Sequence, residues 1–173
     1  MHALLKKLQG GDRRSIGRSG EVVADVLKDG ALFEILITAL RADDTVLRMR
    51  GADAVEKVSL RHPEYLQPHK DFLIGLAATS QEKEVRWHMA QILPRLSLRT
   101  AERRRAVELL LSYCNDGSSI VKTFAMQALA DFARQSPALR PAILLHLREL
   151  TATGTPAMKA RGRKLLAVLE GAG

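Results

Sequence analysis

A twelve-residue pattern recurs along the sequence, and such a repeat restricts the fold to a stack of similar units. The pattern has an apolar residue at its first position, a basic residue at its second, and small or apolar residues at its fifth, eighth, ninth and twelfth positions. Four strong copies occupy 47–58, 85–96, 121–132 and 158–169, and their starts are separated by 38, 36 and 37 residues. This nearly constant period predicts a chain built from repeated structural units.

Each copy of the pattern predicts an amphipathic helix. Its apolar positions fall on one side of an α-helix, which has about 3.6 residues per turn. A second apolar segment precedes each copy, at 31–41, 68–78, 101–113 and 141–150, and it is also predicted to be helical. Every unit is therefore expected to be a helical hairpin, which is a pair of helices joined by a short turn.

The repeat predicts an all-α protein with a single domain. A fainter copy at 16–27 has Gly17 in place of the basic residue, and it indicates a degenerate first unit. The chain of 173 residues then divides into this N-terminal unit and four full units, at 1–30, 31–61, 68–97, 101–135 and 137–170.

The units resemble the HEAT family of helical repeats. The resemblance depends on the segments Asp44 to Arg48, Glu84 to Arg86 and Ile120 to Lys122, each followed by small and aliphatic positions, and it covers about residues 31–170. It implies a right-handed α-solenoid of about four helical hairpins, in which the second helices line the concave face. Armadillo repeats, which add a third short helix to each unit, are the near alternative.

A proline interrupts the second predicted helix of one unit. Pro94 cannot donate a hydrogen bond to the carbonyl group of Ala90, and its ring crowds the preceding turn. A kink is therefore expected in this helix, either as a tolerated distortion or as a change in the direction of a binding groove.

The chain is basic, and the excess charge is uneven. Its 27 lysines and arginines against 19 aspartates and glutamates give a net charge of +8. Residues 1–86 hold 14 basic and 13 acidic residues, whereas residues 87–173 hold 13 and 6, so the two net charges are +1 and +7. This asymmetry indicates either a surface for nucleic acid or another polyanion, or a charge that keeps an extended repeat protein in solution.

Neither a membrane span nor a secretory signal is expected from the sequence. No apolar run approaches the roughly 18 residues that a membrane-spanning helix needs. The N-terminal segment has no long apolar stretch before the charged residues that follow it. A cytoplasmic location is therefore predicted.

No arrangement of residues typical of catalysis is present in the sequence. It has neither a glycine-rich phosphate loop nor the His-Glu-x-x-His zinc motif, and its five histidines include no pair three or four residues apart. Glu82 and Glu84, like Asp43 and Asp44, lie at predicted helix starts, where negative charge is stabilised. The lone Cys114, at the end of an apolar helix, is expected to be buried. We therefore expect a protein that is not an enzyme and needs no cofactor or metal ion.

The basic second positions of the four strong copies form what we call the basic ladder: Arg48, Arg86, Lys122 and Lys159. Stacked units would align these side chains along one surface. In repeats of the HEAT type this residue often pairs with an acidic residue of a turn, and Asp44, Glu84 and Asp116 are available. Such ion pairs are the favoured interpretation, and a stripe that contacts an acidic partner is the alternative.

Residues beside the basic ladder add candidate contacts to a partner. An exposed aromatic residue next to a cation suits the anchoring of a peptide or stacking on a base. Trp87 and Phe124 could equally fill the seam between units, and this interpretation is slightly preferred. In addition to the basic ladder, the candidate partner-binding residues are Arg50, Trp87, His88, Phe124 and Arg161.

A second basic cluster opens the first helix of the unit at 101–135. Arg103, Arg104 and Arg105 place positive charge where the helix dipole disfavours it, and Glu102 alone offsets them. These three arginines and Arg99 are therefore candidate residues for binding a polyanion, although consecutive residues point in different directions around a helix.

The sequence predicts a binding scaffold more directly than an enzyme. The first hypothesis is a repeat protein that binds a protein or peptide partner on its concave surface. The second is nucleic-acid binding through the basic C-terminal half.

Two classes of HEAT-like enzyme are weaker alternatives. HEAT-like DNA glycosylases, which are similar in architecture, bind alkylated DNA in their concave face with several aromatic residues and a catalytic aspartate. This chain has one tryptophan and no aspartate in an assignable role. HEAT-like lyases that act on tetrapyrroles share only the repeat pattern with it.

Overall fold

Helices account for every regular element in residues 1–10 and 15–171, which are the residues that the structure, a computed structural model, describes. The predicted all-α class is therefore confirmed for this part of the chain. The α-helices are, in chain order, α1 Ala3–Lys6, α2 Ser19–Lys28, α3 Leu32–Thr38, α4 Thr45–Ser59, α5 Lys70–Thr79, α6 Lys83–Ile92, α7 Thr100–Tyr113, α8 Ser119–Gln135, α9 Arg140–Thr153 and α10 Pro156–Gly171. Short 3-10 helices cover Ala39–Arg41, Pro63–His69 and Leu93–Arg95.

The α-helices pack in a regular order. Within each full predicted unit, the odd-numbered helix packs against the even-numbered helix that follows it, as α3 does on α4 and α9 on α10. Each even-numbered helix from α2 to α8 also packs against the next even-numbered helix, so that these helices form one continuous row. Contacts between successive odd-numbered helices are sparser. We call the row of α2, α4, α6, α8 and α10 the even-helix row.

The repeated pattern lies on the even-helix row and encodes its close packing. The first position of each strong copy is buried, at Leu47, Val85, Val121 and Met158. In the first and last copies the fifth position is glycine, which allows a close approach to the preceding segment of the same unit. A Cβ atom on Gly51 would lie 2.7 Å from the Cβ atom of Ala39, and one on Gly162 would collide with Thr151 of α9.

Acidic residues stabilise helix starts, as the sequence predicted for Asp44. This residue is the N-cap of α4, where its Oδ1 atom accepts hydrogen bonds from the backbone N–H groups of Val46 at 2.8 Å and Leu47 at 3.2 Å. At the start of α7, Glu102 accepts a hydrogen bond from the backbone N–H group of Arg99 at 2.7 Å. Such contacts satisfy N–H groups that have no partner within the helix.

Pro94 ends a helix instead of kinking it. Helix α6 stops at Ile92 and a 3-10 turn follows it at Leu93–Arg95, so the kink expected within the helix is absent. Proline suits the start of such a turn because the N–H group that it lacks would have no partner there. The carbonyl oxygen of Pro94 accepts a hydrogen bond from the Gln135 side chain of α8 at 2.9 Å, which ties the turn to the next unit.

One hydrophobic core runs through all the predicted units. Its members extend from Leu4 in α1 to Leu169 in α10. Cys114 belongs to this core, as predicted, with 3% of its surface exposed. Burial raises the pKa of its thiol to about 12, so the sulfur is protonated and behaves as a small apolar group.

Candidate functional site

The first two members of the basic ladder connect successive units. Arg48 donates from Nε to Oε1 of Glu82 at 3.0 Å, and its guanidinium also contacts the carbonyl oxygen of Ala42. Arg86 donates from Nη1 to Oδ2 of Asp116 at 2.5 Å. The side chains in both pairs are mostly buried. These two arginines therefore act as ties between units.

The other two members of the basic ladder have different surroundings. Lys122 is half-buried on α8, and Lys159 is exposed on α10. The turn before α10 carries no acidic residue. Lys122 consequently lacks the carboxylate that each ladder arginine reaches in the following unit. The basic ladder thus connects units at its start, and within residues 1–10 and 15–171 Lys122 and Lys159 form no equivalent ion pair.

The two aromatic candidates meet at a cavity on the even-helix row. Trp87 of α6 and Phe124 of α8 are both half-buried, and with Met49 of α4 they line an open cavity of about 410 Å³. We call it the Trp87 cavity. Ile16 and Ile120, which also line it, are 56% and 45% exposed. Apolar side chains that stay exposed together beside a cavity are typical of a binding surface.

Two smaller cavities continue the Trp87 cavity along the even-helix row. A cavity of about 330 Å³ between α6 and α8 shares Phe124 with it. A third cavity, of about 210 Å³ between α8 and α10, shares Gln127 and Arg134 with the second. Leu60 in the second cavity and Val168 in the third are 62% and 54% exposed. We call these three adjoining cavities the even-helix groove.

The lining of the even-helix groove follows the repeated pattern. Positions four, seven and eleven supply much of it, because residues three and seven apart lie on one side of a helix. In the last copy these positions hold Arg161, Lys164 and Val168. Sequence reasoning selected position four, at Arg50, His88, Phe124 and Arg161, and missed positions seven and eleven. The helical period is the signal that would have found them.

Arg50 is buried beneath the N-terminal segment. Only 1% of it is exposed, and its guanidinium donates to the carbonyl oxygens of Leu8 at 2.8 Å and Ser15 at 3.0 Å. Gly17 has a φ of +58°, and a Cβ atom there would lie 2.8 Å from Nη1 of Arg50. This contact explains why the faint copy has glycine at its second position. Arg50 thus holds the N-terminal segment on α4 while it also lines the Trp87 cavity.

His88 lines the Trp87 cavity but is largely buried. It is 8% exposed, and its Nδ1 atom has no hydrogen-bond partner among the described residues. Burial lowers the pKa of its imidazole to about 4, against an opposing effect of the Asp53 carboxylate. Asp53 in turn accepts hydrogen bonds from Ser19 at 2.5 Å and from Lys57 at 2.8 Å. The imidazole is therefore neutral at neutral pH.

The four arginines near the start of α7 differ in their surroundings, and Arg99 and Arg105 line one cavity with Asp71, Ile74 and Glu102. Arg99 is exposed and donates to Glu102, which also accepts a hydrogen bond from Lys70 of α5 at 2.9 Å. These hydrogen bonds, that from Arg99 first, lower the pKa of Glu102 to about 2. Arg103 is half-buried and donates to a backbone carbonyl oxygen, whereas the two arginines that follow it are exposed. The cluster belongs to an odd-numbered helix and lies outside the even-helix groove.

Comparisons with known proteins bear on the fold alone. No family model matches the sequence, and no curated protein matches it. Among solved structures, the chain is similar to an engineered protein whose crystal structure comes from the Northeast Structural Genomics Consortium. The TM-score is 0.66 at 19% sequence identity, over 98% of this chain and 79% of the engineered one. At this identity the likeness supports the all-α fold and carries no information on function.

Two further findings concern the described residues. Within residues 1–10 and 15–171, the His, Cys, Asp and Glu side chains form no group suited to a metal ion. No helix in this part of the chain combines the length and the apolar character needed to cross a membrane. The described residues form an all-α fold, and the even-helix groove is the candidate binding surface that they offer along the even-numbered helices.

Proposed function

We propose that this protein is a HEAT-like right-handed α-solenoid that binds a segment of a protein partner in the even-helix groove, without catalysing a reaction. The observation that carries the proposal is the continuity of the groove over three adjoining cavities. Exposed aliphatic side chains line all three, at Ile16, Leu60, Ile120 and Val168.

The order of the helix contacts supports the solenoid in this proposal. The even-numbered helices pack more closely on one another than the odd-numbered helices do. A stack of hairpins curves towards the side on which its helices are closest, so the even-helix row would be the concave side. Second helices occupy this side in repeats of the HEAT type.

The shape and chemistry of the groove fit an extended peptide. Cavities that follow one another at intervals accept separate side chains of one segment while its backbone passes along the surface. Trp87 and Phe124 offer large aromatic surfaces of the kind that often contributes most to binding. The exposed aliphatic residues beside them would lose contact with water in a complex, and this burial favours association.

Two polar groups of the Trp87 cavity, the Asp53 carboxylate and the Arg50 guanidinium, support binding more than catalysis. Asp53 accepts hydrogen bonds from Ser19 and Lys57, and Arg50 donates to backbone carbonyl oxygens. A catalytic acid or base needs a proton-transfer partner within reach of a substrate. These groups are instead engaged in contacts that hold helices together.

A selection of peptides tests the proposal. A phage-displayed library of random peptides is panned on the wild-type protein, and enriched peptides are labelled and titrated by fluorescence anisotropy. We expect Trp87→Ala and Phe124→Ala to weaken binding by about tenfold or more. Leu145→Ala, at a residue of α9 that is 65% exposed, is the matched control and is expected to leave binding unchanged.

Two further measurements make the selection decisive. Circular dichroism of each variant establishes that the helices are retained. The intrinsic fluorescence of Trp87, the single tryptophan of the chain, is expected to change when a peptide fills the cavity beside it. Enriched peptides that bind equally well to both alanine variants, or a failure to enrich any peptide, would contradict the proposal.

A second candidate function, nucleic-acid binding, is favoured by one feature of the groove. The cavity between α8 and α10 is lined by Arg134, Arg161 and Lys164 and, among the described residues, by no carboxylate. Cations in this number can bind phosphates, with an affinity that falls steeply as salt increases. Anisotropy of labelled DNA and RNA at several salt concentrations, with wild-type protein and Lys164→Ala, tests this function. A lack of binding at low salt would exclude it.

A further inference from the structure

We infer that the even-helix groove binds a peptide segment in one orientation, with a basic flank of the segment at the Trp87 cavity and an acidic flank at the cavity between α8 and α10. This inference rests on the proposed function and adds to it the charge pattern of the partner. Its basis is the distribution of charged side chains along the three cavities.

The Trp87 cavity is the acidic end of the groove. Two carboxylates, of Asp53 and Glu84, and one guanidinium, of Arg50, line it, so that the formal charge of its lining is −1 when histidine is counted as neutral. Asp53 is already paired with Lys57 at 2.8 Å, so Glu84 is the carboxylate on which the inference depends. Glu84 has a partly exposed side chain, and the Nζ atom of the lysine beside it, Lys83, lies 4.0 Å from its Oε1 atom. A lysine or arginine of the partner would lie near this carboxylate and the face of the tryptophan, both of which attract a cation.

The cavity between α8 and α10 is the basic end. Arg134, Arg161 and Lys164 give its lining a formal charge of +3. The carboxylate of Asp131, in the adjoining cavity, lies 3.5 Å from Nη2 of Arg134. Arg161 donates to the side-chain oxygen of Gln127 at 3.2 Å, which orients its guanidinium at the cavity wall. Lys164 is exposed. A carboxylate of the partner would be attracted to this end.

The middle cavity has an intermediate charge. Arg95 and Arg134 against Asp131 give it a formal charge of +1. Arg95 is already paired with Glu56, at 2.6 Å between Nη2 and Oε1. With Arg134, which lines both the second and the third cavity, counted in each, the formal charge of the lining rises from −1 through +1 to +3 along the groove.

This gradient distinguishes between partners. The chain as a whole has a net charge of +8, yet one end of its groove is acidic. A uniformly anionic ligand, such as a nucleic acid, is complementary to the basic end alone. A peptide segment with opposite charges at its two ends is complementary to both, and such complementarity sets the orientation of a complex.

The sequences of enriched peptides give the first test. After panning of a random peptide library on the wild-type protein, we expect lysine or arginine on one side of an apolar centre and aspartate or glutamate on the other. Peptides that bind the groove and are acidic throughout would overturn the inference, because the net charge of the protein alone would explain them.

A matched pair of variants tests the basic end. Lys164→Glu and Arg163→Glu make the same change of charge at adjacent exposed residues of α10, but only Lys164 lines the groove. For a labelled peptide with the expected charge pattern, Lys164→Glu should weaken binding about two- to fivefold more than Arg163→Glu. Equal effects of the two variants would overturn the inference.

A second matched pair tests the acidic end. Glu84→Gln is expected to weaken binding of the same peptide about two- to fivefold, and Glu108→Gln, at an exposed residue of α7, is expected to leave it unchanged. Unchanged or tighter binding to Glu84→Gln would overturn the inference. Enriched peptides that need Trp87 for binding, but whose basic and acidic residues are not separated on opposite sides of the apolar centre, would also overturn the inference. They would leave the proposed function intact.

Discussion

Burial governs the behaviour of the two polar residues Arg50 and His88. Both occupy the fourth position of the repeated pattern, and they are 1% and 8% exposed. Arg50 donates to backbone carbonyl oxygens of the N-terminal segment, which supply the partners that a buried charge needs. His88 instead stays neutral, because water is excluded from its imidazole.

We expect His88 to make the stability of the fold depend on pH. The pKa of its imidazole is about 4 in the folded protein, below the ordinary value of 6.5, so the unfolded chain binds the proton more readily. The contribution of His88 is therefore complete above pH 6.5 and is lost as the pH falls from 6.5 through 4. The expected loss of unfolding free energy is on the order of 3 kcal/mol. Urea unfolding at several pH values measures it.

Two variants test whether His88 causes this dependence of stability on pH. His88→Leu removes the titrating group, and its free energy of unfolding is expected to vary less over the same range of pH. His146→Gln on α9 is the control and should retain the dependence of the wild-type protein. If His88→Leu keeps the full dependence, another group is responsible for it.

A side chain at Gly17 is expected to destabilise the fold. The φ of this glycine, +58°, is disfavoured for any residue with a Cβ atom, and that atom would crowd the guanidinium of Arg50. Gly17→Ala should therefore lower the free energy of unfolding by about 1–2 kcal/mol. Gly75→Ala in α5, where no atom lies within 4 Å of the new Cβ atom, should be neutral or stabilise the helix by up to about 1 kcal/mol. Equal effects in chemical denaturation would contradict this prediction.

At the scale of helices and turns, ion pairs connect the second helix of one unit to the turn between the two helices of the next unit. Arg86 of α6 reaches Asp116, whose side chain is 8% exposed. The second carboxylate oxygen of Asp116 accepts a hydrogen bond from the backbone N–H group of Ser118, the N-cap of α8, at 2.7 Å. This one aspartate therefore links the start of a helix to the helix of the preceding unit.

The ladder residues are expected to differ in their effects on stability. Arg86→Ala would leave the buried Asp116 without its cation, and a loss of about 1–3 kcal/mol in the free energy of unfolding is expected. Lys122→Ala, at the equivalent position of the next unit, should change it by no more than about 0.5 kcal/mol. Urea denaturation of both variants measures the difference. A similar loss in the two would show that the ties are not specific to the arginines.

At the scale of the whole molecule, the principal helix contacts link each unit to its neighbours along the chain. If the protein is the proposed solenoid, its stability is approximately a sum of the stabilities of the units and of the interfaces between them. A defect in one unit is therefore expected to act mainly on that unit and its neighbour. The even-helix groove depends on the same arrangement, since its lining comes from successive units.

A local defect in the last hairpin tests this dependence. A Cβ atom on Gly162 would collide with Thr151 of α9 and lie 3.1 Å from the Cε atom of Met126. Gly162→Ala is therefore expected to speed amide hydrogen exchange in α9 and α10 and to leave α4 and α6 almost unchanged. Mass spectrometry of exchanged peptides measures each helix. A uniform increase along the chain would indicate that the units unfold together.

The amino-acid sequence by itself determined the all-α class and the approximate position of the helices. The segment predicted to be helical at 101–113 lies within α7, Thr100–Tyr113, and the one at 141–150 lies within α9, Arg140–Thr153. These predictions succeeded because a helix depends on a periodic pattern within consecutive residues. The prediction at Pro94 was wrong: a kink was expected within a continuous helix, but α6 ends at Ile92. The turn that follows is held by a hydrogen bond from Gln135 of the next unit, which the local pattern does not specify.

Only the tertiary structure decided which residues meet in the groove and which of them are buried. Arg48 reaches Glu82, a residue 34 positions away, and not the acidic residue of its own turn. Trp87 and Phe124 lie on two different helices and share one cavity because α6 packs on α8. Such contacts depend on the distance and angle between helices of separate units, and no pattern within one helix specifies these quantities.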